Sequence, residues 1–561
     1  MRRSGLVIQF ANLGAGEVNT VMARDQLLPI DRAYIQAPLT PSAINCRLLA
    51  GVVSQRPGYR TIGTTPTSLP ITGMYQALFD TNLVENLRSD TAKTYRLAGG
   101  TTWTDIAANG VGGNWAYAMV RRAGAGSGNP ANQLMLCADG DGDSIYTYPG
   151  GATTATAVAT SPFKGARAIV GHRGRALLLN VFDVGLNIRK NKRIGYSIVG
   201  DPTDFNPTHF GAGFVDLDDD PYPIVAGRVL GGNVCVFSGN NIAGSIVVGT
   251  LTGVTNAPYR WDTVGTEGIG LLVPRSLIAI TPDLAFFLGH DGFYLYDGAR
   301  GLASVAQGVT RDILTRINSN ALKAGFAWYK QTTGEIHVAL PMGSATYPNE
   351  TWVFNFPEKR VYGPYDYKHT FTAAAPYATT STLTWDDLTG SWDDLPYTSW
   401  DTIGGIASSR AIILGASSGT TWLDDETVYT DANANGVPSA IYTFAPVRAS
   451  GRMLIMPDGS QRPLEEDGYL TLHDLVLSYR NQGLWTPTIS VSVDGGSTWT
   501  SATSGTTIGD VGTNTDSTRM VAYTFDGLSG TWFQARVSGS YPMQLTGMKM
   551  EFTYGGSYRN D

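Results

Sequence analysis

SLIAITPDLAFFLGHDGFYLYDG, residues 276–298, holds three apolar runs separated by two turn signals. Pro282-Asp283 turns the first run into LAFFLG, and His290-Asp291-Gly292 turns that into FYLYDG. Runs this short, bounded by Pro, Asp and Gly, read as antiparallel strands joined in hairpins. The same rhythm, with other letters, recurs along the chain. Six units begin near Ile71, Trp115, Ala166, Ile224, Ser276 and Ala324, at intervals of 44 to 58 residues. The sixth reads GFAWYKQTTGEIHVALPM and then TWVFNFPEKRVYGPY. Units of about 50 residues, each of three or four antiparallel strands, predict a β-propeller, an architecture that leaves only short, protected sheet edges. The good helix candidate is GVTRDILTRINSNALK, with Val309, Ile313, Leu314 and Ile317 on one face, as an excursion between units five and six.

Composition agrees with an all-β chain. Gly accounts for 67 of 561 residues and charged residues for 16%, against ordinary usages of about 7% and about 25%. Many turns and few solvated helices follow. A net charge of −7 weighs against a protein whose whole surface grips nucleic acid, which needs clustered Lys and Arg; it does not weigh against a pore through which DNA slides. Cys46, Cys137 and Cys235 are odd in number and lack CxxC spacing, so they read as buried thiols rather than a disulfide framework or zinc site. The N-terminal apolar run is broken by Gln9 and Asn12 and is too short for a signal peptide. No stretch approaches the roughly 20 apolar residues of a membrane span.

The expected organisation is a six-bladed propeller over 61–380, an extended N-terminal arm over 1–60, a Trp-Asp strap and linker over 381–438, and a C-terminal β-sandwich-like domain over 439–561. The arm, with Pro29, Pro38, Pro41 and Pro57 among apolar residues, reads as a segment that packs on a neighbour or closes the propeller. In the strap, TWDDLTGSWDDLPYTSW places Trp385, Trp392 and Trp400 before aspartates seven and then eight residues apart. WD repeats carry their signature once per blade, about every 40–45 residues, so this is a different device. Gly390 and Pro396 argue against a helix. Each Trp-Asp pair reads as a short turn pinning one indole, packed between domains or between subunits.

Chemical motifs are sparse. SVDGGSTW, with Ser492, Asp494, Gly496 and Trp499, fits the Asp-box turn, whose aspartate satisfies turn amides over a packed tryptophan. A sialidase-like glycosidase is its functional reading, but such enzymes carry several of these turns, and two working carboxylates at a defined separation. The acidic clusters ADGDGDS (138–144) and DLDDDP (216–221) are oxygen-rich; the first lacks the sixth-position Gly and twelfth-position Glu of a calcium loop, and solvated turns are the better reading. GAGSGN (124–129) has the glycines of a phosphate loop without its Lys-Ser/Thr and reads as a hairpin tip. The basic run RKNKR, containing Arg189, Lys190, Lys192 and Arg193, falls in an expected turn and offers a contact to phosphate or to another subunit, or an exposed loop. The six histidines show no HxxxH spacing and no serine sits in a GxSxG elbow. No catalytic residue, metal ligand or cofactor is indicated.

Three runs, NIRKNKRIGYSIVGDPTDFNP (187–207), FVDLDDDPYPIVAGRVLGGNVCVFSGNNIAGSIVVG (214–249) and YRWDTVGTEGIGLLVPRSLIAITPDLAFFLGHDGFYLYDG (259–298), together resemble the tail nozzle, or tail hub, proteins of short-tailed bacteriophages. The Trp-Asp segment is also similar to a repeated segment of that family. The resemblance covers roughly residues 180–405; the arm and C-terminal region match only in style. It implies a six-bladed propeller with β-rich platforms, six copies in a homo-oligomeric ring, and docking beneath the portal and adaptor. Tail fibres or a plug or needle protein are further implied partners, and double-stranded DNA would pass transiently through a lumen lined by acidic or neutral side chains. The location implied is the virion tail, after synthesis in the host cytoplasm, with no enzymatic activity. The rival readings are a propeller glycosidase and a monomeric receptor-binding propeller.

Overall fold

The computed structural model describes residues 40–379 and 407–557 apart from short stretches inside them, together with Gly5–Ala11 and Tyr34–Gln36. The opening stretch is a hairpin pair, Ile278–Thr281, Leu284–Leu288 and Phe293–Tyr296, completed by Leu302–Val305 into a four-stranded antiparallel sheet. Five more sheets of this kind have first strands Ile71–Leu78, Trp115–Arg121, Ala168–His172, Ile224–Leu230 and Phe326–Lys330. All six starts lie within two residues of the positions expected from the sequence.

The side chains show why these sheets form blades. Along Asn132–Ala138 of blade two, Leu134, Leu136 and Ala138 join a core with Leu87 and Ile106 of blade one. Met135 and Cys137, on the opposite face, join a core with Ile169 and Leu178 of blade three. Successive strand residues point to opposite faces, so a run such as LMLCA or LAFFL is apolar throughout because both faces are covered. In blade five Ala285 and Phe287 pack towards blade four, while Phe286 and Leu288 pack towards blade six. At full burial each of these larger side chains contributes about 1.5–3 kcal/mol. First strands also approach closely: a Cβ on Gly171 of blade three would stand 2.1 Å from the Met119 carbonyl oxygen of blade two.

The blade count corrects the sequence reading. Among the described residues there are seven such sheets rather than six. Phe371–Thr379, Ala407–Ala416 and Thr421–Asp425 form three strands of a seventh, and its next strand is Gly58–Thr61, antiparallel to Thr421–Asp425. Ala373, Ala375 and Ile413 of this blade share a core with Ile71, Met74 and Leu97 of blade one, and Ile412 and Leu414 share one with Phe326 and Trp328 of blade six. Seven interblade cores in succession close the ring, and the fold is a β-propeller. The 50-residue rhythm fails at blade seven because its outer strand comes from the arm and because residues 380–406 separate its first two strands. The Trp-Asp run, with Trp385, Trp392 and Trp400, lies in that segment, outside the described residues.

Gly58–Thr61 adds a strand to blade seven, and strands nearer the N-terminus serve the C-terminal region. Two sheets there share one core with Phe533 against Phe552, ring centroids 4.8 Å apart. Gly5–Ala11 and Val52–Gln55 pair with Gln544–Ser557 in one sheet, and Ser42–Ile44 pairs with Ala440–Thr443 in the other. The unit expected at 439–561 is thus built from both ends of the chain. It packs on blade six, whose Val353, Tyr362 and Tyr365 belong to the same core. The helix, Gln307–Arg316, stands between blades five and six with Val309 and Ile313 buried.

Two buried arginines fix the arm. Arg56, with no side-chain exposure, gives all five donors to Asp431 Oδ1 and Oδ2 (3.0 and 2.7 Å), Asn45 Oδ1 (3.0 Å), Pro57 O (3.1 Å) and Asp366 O (2.8 Å). Arg47 forks onto Glu335 of blade six at 2.7 and 2.9 Å, and Tyr362 and Thr333 hydroxyls donate to the same carboxylate. Burial would raise the Glu335 pKa; His337, with Nε2 at 3.8 Å, and the Arg47 guanidinium outweigh it and hold the carboxyl well below its ordinary value. Two outcomes are expected. Asp431→Asn leaves a buried guanidinium without its counter-charge and should cost about 3–5 kcal/mol in urea unfolding. Because the folded pKa of Glu335 is depressed, its contribution is complete above the ordinary value of 4.5 and is lost as pH falls below it. Glu335→Gln should therefore be less stable than wild type at neutral pH, with a flatter decline between pH 4.5 and pH 2.

Candidate functional site

The first strands of all seven blades line an axial cavity of about 310 Å³. Its walls include Tyr75, Trp115, Tyr117, Ile169, Val225, Ile278, Phe326 and Ala374, so every blade contributes. Tyr75 and Tyr117 stack with centroids 5.3 Å apart and planes 15° apart. Trp115 donates through Nε1 to the Asp90 carbonyl at 2.8 Å, and the Tyr117 hydroxyl donates to Ser89. These bonds anchor the two rings at the cavity wall.

Arg275, three residues before its blade's first strand, ties three other blades together at the axis. Its Nη1 donates to Thr72 O (3.1 Å) and Thr372 O (2.8 Å), and its Nη2 to Ala324 O (2.9 Å). Burial pushes its pKa down to about 10, which leaves it charged at neutral pH. Asn114 Nδ2 donates to Lys323 O at 3.2 Å, a bond between the segments that lead into blades two and six. The Asn114 amide donates to Asp139 Oδ1 at 3.0 Å. Three further cations reach the cavity: Arg167, Arg228 and Lys323. Among the described residues none of the three is in an ion pair. Burial lowers the pKa of both Arg167 and Arg228.

The residues singled out from the sequence are placed elsewhere. RKNKR is a correction: it lies within the strand Ile188–Tyr196 of blade three, not in a turn. Arg189 pairs with Asp141 at 2.5 Å and donates to Asp139 O at 2.6 Å. Arg193 forks onto Asp216 at 2.7 and 2.6 Å, pairs with Asp183, and sits 3.9 Å from the Phe214 ring centroid. Both arginines are thus engaged within the chain, while Lys190 and Lys192 are half-buried. The acidic clusters are their partners and the acceptors of local turns: Asp143 takes the Val111 and Gly140 amides at 2.7 and 3.0 Å, and Asp220 the Ser245 hydroxyl at 2.7 Å. GAGSGN lies outside the described residues.

The SVDGGSTW turn has the geometry its sequence suggests. Asp494 Oδ1 accepts from the Ser492 hydroxyl (2.7 Å) and the Ser497 and Thr498 amides (3.0 and 2.9 Å), and Oδ2 from the Thr498 hydroxyl (2.6 Å). The Thr498 hydroxyl and amide, then Ser492, hold this exposed carboxyl well below the usual range. Gly496 has φ +94°, its carbonyl accepts Trp499 Nε1 at 3.1 Å, and Arg536 covers that indole at 4.2 Å. The described histidines bond separately, His172 to Tyr259 at 3.0 Å and His369 to Tyr59 at 2.8 Å, for example. All three cysteines are buried, and none is in a disulfide. No group of three His, Cys, Asp or Glu among the described residues is arranged to hold a metal ion. None of the described helices is long and apolar enough to cross a membrane.

Sequence reasoning passed over the axial cations. The one signal available was an arginine inside the apolar alternation IVAGRVL of blade four, where Arg228 interrupts a run of Val, Ala and Leu.

No family model matches the chain, and no curated protein does. Solved structures give loose likenesses. YCF48 bound to a D1 peptide aligns with TM-score 0.30 and 9% identity over 50% of this chain and 94% of its own. A catalytically inactive virginiamycin B lyase from Staphylococcus aureus with quinupristin aligns with TM-score 0.37 and 8% identity over 65% and 98%. BBS1N in complex with ARL6 aligns with TM-score 0.36 and 10% identity over 66% and 99%. Likenesses this loose carry no inference about activity.

The contrast between the axial arginines is testable. Arg275→Met should lower stability by at least about 2 kcal/mol, since hydrogen bonds from a charged donor are worth about 1.5–3 kcal/mol each. Arg228→Met, which removes no partnered group, should stay within about 0.5 kcal/mol of wild type. Urea unfolding followed by tryptophan fluorescence reads both.

Proposed function

We propose that the chain is a structural virion protein, the ring-forming nozzle at the distal end of a short bacteriophage tail, acting as conduit and gate for genome ejection. The observation that carries this reading is the ordered resemblance of residues 187–207, 214–249 and 259–298 to that family. Those runs coincide with blades three to five and the strands that join them. In this reading the propeller is the body of each subunit and the two-sheet unit its platform. Six copies surround a second axis, docked to the adaptor and met by fibres or a plug protein.

The geometry bears on where DNA would travel. Arg275 and the Asn114–Lys323 bridge cross the propeller's own axis, and its cavity is about 310 Å³. A duplex whose major groove alone is about 12 Å wide does not fit there, so the conduit lies between copies. Val184, Leu186 and Ile188, 44–55% exposed around one hairpin of blade three, are the kind of apolar surface that subunit contacts cover. The glycosidase reading has less support, because it rests on one Asp-box turn, whose aspartate has a structural and not a catalytic part.

Negative-stain imaging of the full chain, alone and on particles or with its adaptor, tests the reading. Closed rings of six copies are expected, and Leu186→Asp should weaken ring formation. A chain that stays monomeric in every condition, or that cleaves sialosides or capsular glycans with a carboxylate-dependent turnover, overturns it.

A further inference from the structure

We propose that the axial cavity of the propeller is a binding site for a compact anionic small molecule bearing carboxylate or phosphate groups, held by Arg167, Arg228 and Lys323. The inference stands apart from the nozzle reading, since it concerns the axis within one subunit.

The charge balance of the cavity is its first support. Its lining holds four cations, Arg167, Arg228, Arg275 and Lys323, against one acid, Asp139. The chain as a whole carries −7, so this is a local concentration of positive charge against the general trend. Arg275 is committed to three carbonyls. Asp139 already accepts the Asn114 amide, and its carbonyl accepts Arg189. Asp139 acts electrostatically on both Arg167 and Arg275, and four cations against this one acid leave the lining with an excess of positive charge. Elsewhere in the described fold Arg47, Arg56, Arg193 and Lys330 have carboxylates at 2.6–2.7 Å, and the buried Arg88 and Arg175 bond to backbone carbonyls. Arg228 and Lys323 are exposed and Arg167 is half-buried, so their charged heads are open to an incoming anion, and none of the three has a carboxylate in an ion pair among the described residues. An anion in the cavity supplies the missing counter-charge.

Shape and chemistry narrow the ligand class. The volume of about 310 Å³ lies at the lower end of small-molecule sites, about 300–1,000 Å³. A polymer is excluded by the crossing of Arg275 and Asn114 over the axis, whereas a molecule with two or three anionic groups fits. Guanidinium forks bind planar carboxylate and tetrahedral phosphate oxygens in pairs, and an ammonium adds a point charge. The stacked Tyr75–Tyr117 pair and Trp115 offer flat apolar walls for the uncharged part of the molecule.

The test is isothermal titration calorimetry on the full chain in Tris-chloride, with inorganic phosphate and with citrate as separate probes. One saturable site per chain is expected for at least one of them, with affinity falling as sodium chloride is raised. Tighter binding of phosphate assigns a phosphoryl ligand, and tighter binding of citrate a carboxylate ligand. Arg228→Met should weaken binding at least tenfold, and Arg167→Met supplies the same reading should the first variant fold poorly by circular dichroism. Absence of a saturable isotherm with both anions on the wild-type chain overturns the proposal, as does unchanged affinity in the folded variants.

Discussion

The structure depends on four residues. Gly58–Thr61 pairs with Thr421–Asp425 in the register Asp425↔Gly58 to Trp422↔Thr61 and so supplies blade seven with its outer strand. Each blade buries both faces, and a ring of blades has no free face only if the last meets the first. Ile62 and Thr421, 359 residues apart, are joined by backbone and hydroxyl bonds at this seam. Loop-closure entropy grows only logarithmically with length, so recruiting a strand from so far away adds little cost beyond that of a shorter loop. It does require close fit: a Cβ on Gly58 would stand 2.2 Å from the Thr430 carbonyl oxygen. The Arg56–Asp431 and Arg47–Glu335 pairs stand on the same arm. The seam is thus fastened by directional, charge-assisted bonds as well as by a short ladder.

Much of the propeller was legible because a blade writes itself locally. Apolar runs with Pro, Asp and Gly punctuation form hairpins wherever they occur, and that rule located six first strands to within two residues. Blade seven was illegible for the same reason. Its strands are separated by residues 380–406 and completed from position 58, so no contiguous window shows the pattern. The two-sheet unit was read as C-terminal because its long strands, such as Gly468–Arg480 and Gln544–Ser557, dominate the tail of the chain. Its pairing with Gly5–Ala11 is a long-range fact that periodicity does not encode.

Charge was the hardest signal to read one segment at a time. Weighed alone, RKNKR offers a phosphate or subunit contact or an exposed loop, and ADGDGDS and DLDDDP read as solvated turns rather than calcium loops. In the fold they meet: Arg189 reaches Asp141 and Arg193 reaches Asp216. The Arg193–Asp216 pair lies within blade three and the Arg189–Asp141 pair joins blade three to blade two, so these conspicuous sequences say more about how the two blades are held than about a ligand. The axial cations made the opposite impression, since Arg167, Arg228 and Lys323 are isolated in sequence and converge only when seven blades close.

Closure therefore has two consequences that pull apart. It turns the acids and bases of the blades into internal pairs, which leaves the body of the subunit electrically settled and suited to repeated packing. It also brings to one cavity Arg167, Arg228 and Lys323, cations with no ion-pair partner among the described residues. Arg275 meets this by bonding to carbonyls from three neighbouring blades, and in doing so it blocks the axis. With its axis crossed in this way, the propeller keeps at its centre only a cavity of about 310 Å³, lined by more positive than negative side chains.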